Sequence, residues 1–148
     1  MNFTKISNNT ECDCFTKSNE NTTDMFVRKV RRSENLNNAD FRNHIERGKI
    51  PEDKNNCGEV CGYHGVSIEL WNEYSSAQLK ERYLQTLSFS PKSKNNLCVI
   101  KFQPGCGLVK HTPDQKNGYN EFHYDFYKND DFSVERLSLV EMVPLIVE

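Results

Sequence analysis

Between Asn120 and Lys128 the chain alternates with a period of two: Phe122, Tyr124 and Phe126 on one side, Glu121, His123 and Asp125 on the other. Successive strand residues point to opposite faces, so this pattern reads as a β-strand with one buried face. A half-buried strand needs pairing partners and a second layer over its apolar side. Other segments supply them. Residues 25–31 are a short β-prone run, and residues 64–70 place Val66, Ile68 and Leu70 on one face. Residues 97–102 place Cys98, Ile100 and Phe102 together, and residues 106–111 form another short strand ahead of a polar connection. Residues 136–143 suit strand or helix, and Pro144 with the apolar residues after it favours strand. Ser75, with Gln78 three residues on, resembles a helix start, and Leu79, Tyr83, Leu84 and Leu87 follow at helical spacing. Residues 39–47 read as two helical turns with Phe41 and Ile45 on one side, ending at Gly48. The expectation is an α+β domain, a mostly antiparallel sheet with one main amphipathic helix.

Residues 1–23 carry Asn, Ser and Thr with almost no apolar periodicity. They read as a flexible, loosely ordered N-terminal arm before a single domain over residues 24–148. A chain of 148 residues, 36% hydrophobic and 11% aromatic, has material for one core. Charge nearly balances at -2, so no overall field attracts a polyanion and a nucleic-acid partner is not expected. No apolar run approaches the ~18 residues of a membrane-spanning helix, and residues 1–7 lack the apolar core of a signal peptide. A soluble cytoplasmic protein is expected, with its six cysteines kept reduced.

Three constellations carry chemistry. The first is Cys57-x3-Cys61-x2-His64. Thiolates and imidazole bind zinc, a glycine-bearing loop lets them converge, and Cys12, Cys14, Cys106 or His111 could complete a tetrahedron. The plainer reading is cysteine as a small buried residue. The second is Glu121-x-His123-x-Asp125, whose side chains stand about 7 Å apart along one strand face and offer a base, an acid and an orienting carboxylate. A hairpin with Thr112 opposite Asn120 would set His111 across from Glu121 on the same face. The plainer reading is the polar solvent face of an antiparallel strand. The third is the basic run Arg28, Lys29, Arg31 and Arg32, read as a solvated edge strand guarded by its charges.

No phosphate-binding loop, nucleophile elbow or His-Glu-x-x-His helix is present in the sequence. The basic start of residues 26–31, then residues 62–68, Trp71 with Tyr74, Ser75 and Ser76, and late His111 to Asp114 with Glu121, Phe122 and His123 resemble a group of small uncharacterised bacterial proteins. The resemblance covers roughly residues 25–128. It implies a bacterial cytoplasmic setting and draws attention to the stretch from His111 to His123, but implies no reaction. The leading expectation is a non-catalytic protein-interaction or regulatory module with a polar surface around His111, Glu121 and His123. One alternative is a small hydrolase or transferase with His123 as general base, oriented by Glu121 or Asp125. The other is a zinc-stabilised interaction domain built on Cys57, Cys61 and His64. No cofactor besides zinc, and no membrane partner, is implied.

Overall fold

The structure is a computed structural model that describes residues 1–31, 33, 35–85, 96–114 and 119–145. Six strands build one sheet: β1 Phe26–Val30, β2 Val66–Leu70, β3 Asn96–Phe102, β4 Gly107–His111, β5 His123–Lys128 and β6 Leu137–Pro144. They lie in the order β4-β5-β2-β1-β3-β6, and every neighbouring pair is antiparallel. Among the described residues, three α-helices, α1 Thr4–Ser7, α2 Cys57–His64 and α3 Glu73–Gln85, complete an α+β domain.

The basic run does not form an edge. β1 lies between β2 and β3, with Phe26 opposite Ile100 and Val30 opposite Asn96. What allows a charge there is a set of local acceptors. Arg28 donates from Nε to the Asp40 carbonyl at 2.6 Å and from Nη1 to the Ser67 carbonyl at 2.7 Å, with its guanidinium 5.8 Å from the Phe41 ring centre. Arg31, at the strand's end, faces Asp40 at 4.0 Å; Arg32 lies outside the described residues. The true edges are blunted by other means. β6 carries a bulge, with Val99 opposite Glu141 and Ile100 opposite Leu139, so that Val140 is the extra residue, and Pro144 closes the strand. β4 is met by Asn19, which exchanges backbone hydrogen bonds with Val109 at 3.0 and 2.6 Å.

One sheet face buries Phe26, Val30, Val66, Ile68, Ile100, Phe102 and Phe126 beneath Phe41 and Leu137. On the other face, Val27, Leu97 and Val99 pack on Leu79 of α3. Further along that face, Tyr127 lies under Ile6, Cys14 and Cys61. Residues 1–23 are therefore part of the second layer and not a loose arm. Disulfides join Cys12 to Cys57 and Cys14 to Cys61. The Asp130 carboxylate also accepts from the Thr4 and Lys5 amides at 3.1 and 3.2 Å. The expectation of reduced cysteines is overturned for these four; Cys98 and Cys106 remain free and buried.

α3 begins three residues before the sequence reading places it, with the cap at Asn72 and not Ser75. Asn72 caps it, its Oδ1 accepting from the Ser75 amide at 2.9 Å while Ser75 Oγ accepts from the Asn72 amide at 3.0 Å. Leu79 is buried and Leu84 exposed, while Leu87 lies outside the described residues. Residues 39–47 form only a 3-10 turn, Asn38–Phe41, followed by turns, so Phe41 and Ile45 do not share a helical stripe. His64 ends α2 instead of opening β2. Among the described residues, no helix is long and apolar enough to cross a membrane.

Candidate functional site

The β4–β5 hairpin closes in a different register from the one the alternation suggests. His111 lies opposite Tyr124 and Lys110 opposite Asp125. The Asp114–Asn120 bridge and a turn at Glu121 and Phe122 occupy the residues expected to start the strand. The shift is three residues, an odd number, so it moves His111 to the opposite face from His123. His111 stacks on Tyr124 with ring centres 4.6 Å apart, and its Nε2 lies 2.6 Å from the Glu121 carbonyl. Glu121 itself is exposed in the turn. Of the four expected catalytic side chains, His123 and Asp125 share a face; His111 and Glu121 do not join them.

His123 Nδ1 is 2.7 Å from the Thr112 carbonyl and 3.1 Å from Thr112 Oγ1. A carbonyl only accepts, so Nδ1 carries the proton and cannot act as a base toward the Thr112 hydroxyl. That hydroxyl instead hydrogen-bonds the Asp125 carboxylate. Neighbouring Glu69 is likewise committed, accepting from the Tyr83 hydroxyl and from Asn120 Nδ2, the latter at 2.8 Å.

Asp125 stands apart. It is only 5% exposed, opposite Ser67 on one side and Lys110 on the other. The start of β2 crosses directly above it: a Cβ on Gly65 would lie 2.8 Å from Asp125 Cβ and 2.9 Å from Cγ and Oδ1, so the close approach requires glycine. Burial pushes its carboxyl up to about 6, against the opposing pull of His123, the Thr112 hydrogen bond and Lys110; Asp114 adds to the rise. The carboxyl belongs to the wall of a 310 Å³ cavity lined by Lys110, Thr112, Tyr127, Asp13, Gly58 and the α2 cysteines. The Tyr127 hydroxyl is buried with no hydrogen-bond partner among the described residues, and burial pushes its ionisation up, so it stays a neutral hydroxyl.

The cysteines of the zinc reading are engaged with one another. Cys57 and Cys61 are bonded to Cys12 and Cys14, and a disulfide sulfur has no thiolate to give a metal. His64, 4% exposed at the end of α2, belongs to the walls of other cavities. Among the described residues, no group of three or more His, Cys, Asp or Glu side chains could hold a metal ion. Spacing did contain a signal for the true pairing. Cys12-x-Cys14 in an extended arm sets sulfurs about 7 Å apart, and Cys57-x3-Cys61 on a helix sets them about 6 Å apart, so the two pairs match like rungs. The free thiols bring no reactivity to the site. Burial pushes Cys98 up to about 12, and Cys106 is raised in the same way, its Sγ 3.3 Å from the Arg136 carbonyl.

No protein-family model, curated protein or solved structure matches this chain.

Proposed function

We propose that the protein is a non-catalytic interaction module, stapled by two disulfides, which takes a basic side chain of a protein partner into the cavity over Asp125. The observation that carries this reading is a buried carboxyl on the wall of a cavity that Tyr127 also lines, with little around it to satisfy a charge. An ammonium or guanidinium entering there would donate to the Asp125 carboxylate and relieve its desolvation. Lys110 lies opposite Asp125 and its flexible stem lets it swing aside. Binding then follows the ionisation of Asp125, in a field set by His123, Lys110, Asp114, Asp13 and Tyr127. Affinity is half-maximal near pH 6, rises to its full value well above it and falls away below as the carboxyl protonates.

Panning a random peptide library tests this. The wild-type protein should enrich peptides carrying Lys or Arg, and Asp125→Asn should lose that enrichment. Equal enrichment on both proteins, or none on the wild type, overturns the reading.

A second reading, the small hydrolase or transferase, is favoured by one observation. A carboxyl raised toward neutrality inside a cavity has the property of a general acid or base. Asp125 joins His123 as a candidate here: the Nδ1–H bond to the Thr112 carbonyl leaves Nε2 as the basic nitrogen of that ring. This second reading expects Asp125→Asn to abolish turnover without lowering the melting temperature. The two disulfides favour an oxidising compartment over the cytoplasm, where thiol reductants would open them.

A further inference from the structure

α2 divides two regions. Cys57, Gly58 and Cys61 face the Asp125 cavity, while Val60 and His64 face a separate cleft formed with the N-terminal segment and residues 38–54. The cleft consists of two cavities, of 430 and 230 Å³, that share Asn9, Ile45 and His64. Their combined size lies in the usual range for a small-molecule site of roughly 300–1,000 Å³.

His64 makes this cleft more than a surface depression. It is 4% exposed, and its backbone carbonyl accepts from Asn43 Nδ2 at 3.0 Å. Among the described residues, neither ring nitrogen has a hydrogen-bond partner. Burial holds the imidazole below its ordinary ionisation range, so it presents one N–H and one bare nitrogen at neutral pH. The ring nitrogens are not among the fully enclosed unpartnered atoms, so the little of this side chain that is exposed opens them to the cleft, where a ligand can reach them.

The charges on the wall decide the ligand's sign. Lys128 is paired with Glu46 at 2.6 Å, and Lys5 Nζ donates to the Asp130 carbonyl at 3.2 Å. The Asp130 carboxylate is taken up by the Thr4 and Lys5 amides, while Arg42 in the larger cavity and Lys54 in the smaller have no such partner among the described residues. Of the two, the Arg42 guanidinium offers a fork that matches a carboxylate. Apolar side chains lie at both ends of the cleft: Ile6 and Phe132 in the larger cavity, Val60 and Ile50 in the smaller, with Ile45 common to both. We infer that the His64 cleft binds a small amphipathic carboxylate, its carboxylate held by Arg42 and the His64 N–H and its apolar body laid along Ile45.

Titration of the protein, labelled at histidine, with hexanoate tests this by NMR. The His64 ring resonances should shift and saturate, while hexylamine leaves them in place. Arg42→Met, which keeps the apolar stem, should weaken hexanoate about tenfold or more. Lys101→Met, which removes an exposed charge from β3, should not weaken it. Absence of a saturable His64 shift, equal binding of inorganic phosphate or hexylamine, or an unchanged affinity in Arg42→Met overturns the inference. None of these outcomes bears on the Asp125 cavity, so the two proposals fail separately.

Discussion

Arg28 and Asp125 sit on opposite faces of the same sheet, and each sets a charged group among buried neighbours. Arg28 finds two backbone carbonyls, an aromatic face and the nearby Asp40. Asp125 finds one hydroxyl, a glycine pressed against it and a cavity. Burial alone therefore does not separate a structural charge from a functional one; the supply of hydrogen bonds does. A satisfied guanidinium holds segments together at every working pH, whereas a poorly satisfied carboxyl changes state near neutrality and is open to a ligand.

Breaking the staples should disturb this contrast most. Each disulfide closes a long loop, with sequence separations of 45 and 47 residues. The first closure is worth about 4 kcal/mol by chain entropy and the second, now closing only a short remaining loop, about 2 kcal/mol. Replacing Cys12 and Cys14 by alanine should lower urea-unfolding stability by about 6 kcal/mol. In any folded fraction, α2 should loosen over the sheet and the Asp125 carboxyl should return toward the ordinary range, as carboxyl NMR would register.

Arg28→Met comes next. It leaves the Asp40 and Ser67 carbonyls without their donor, at a cost of about 3 kcal/mol. The loss should be the same at pH 5 and pH 8, because Arg28 stays charged throughout. A pH-dependent loss would break the assignment of Arg28 as a fixed structural charge.

Asp125→Asn should act in the opposite direction. The folded carboxyl keeps its proton to about pH 6, while the unfolded one releases it near 3.8. Wild-type stability is therefore full below about pH 4, declines as pH rises to about 6 and is flat above. The asparagine variant should lack that decline and exceed the wild type by up to about 3 kcal/mol at pH 8. A variant less stable than the wild type at pH 8 would mean that the carboxylate is stabilised in the fold. Gly65→Ala, which drives a Cβ into Asp125, should cost about 2 kcal/mol. Combining it with Asp125→Ser should recover part of that loss if the clash is local, which a double-mutant cycle on melting temperature would measure.

Much of the scaffold was legible in the chain. β2, β3, β4 and β6 were read close to where they form, and the start of the helix bearing Leu79 and Tyr83 was anticipated within three residues. The candidate site was legible only in part. Asp125 and His123 were singled out, but their face was expected to look into solvent, because period-two alternation tells which residues share a side and not what covers it. The partner of His111 was misplaced because a three-residue slip in a hairpin leaves every local propensity unchanged.

Alternation, capping residues and turn formers act over a few residues, and so the amino-acid order alone determined the strands, α3 and the α+β class. Which strand lies inside the sheet, which cysteines meet, and which carboxyl loses its water depend on segments far apart in the chain. Cys12 and Cys57, or Gly65 and Asp125, become neighbours only when the sheet closes. Desolvation is a property of everything packed around a group, which is why only the tertiary structure turned Asp125 from a polar strand residue into a titrating wall of a cavity.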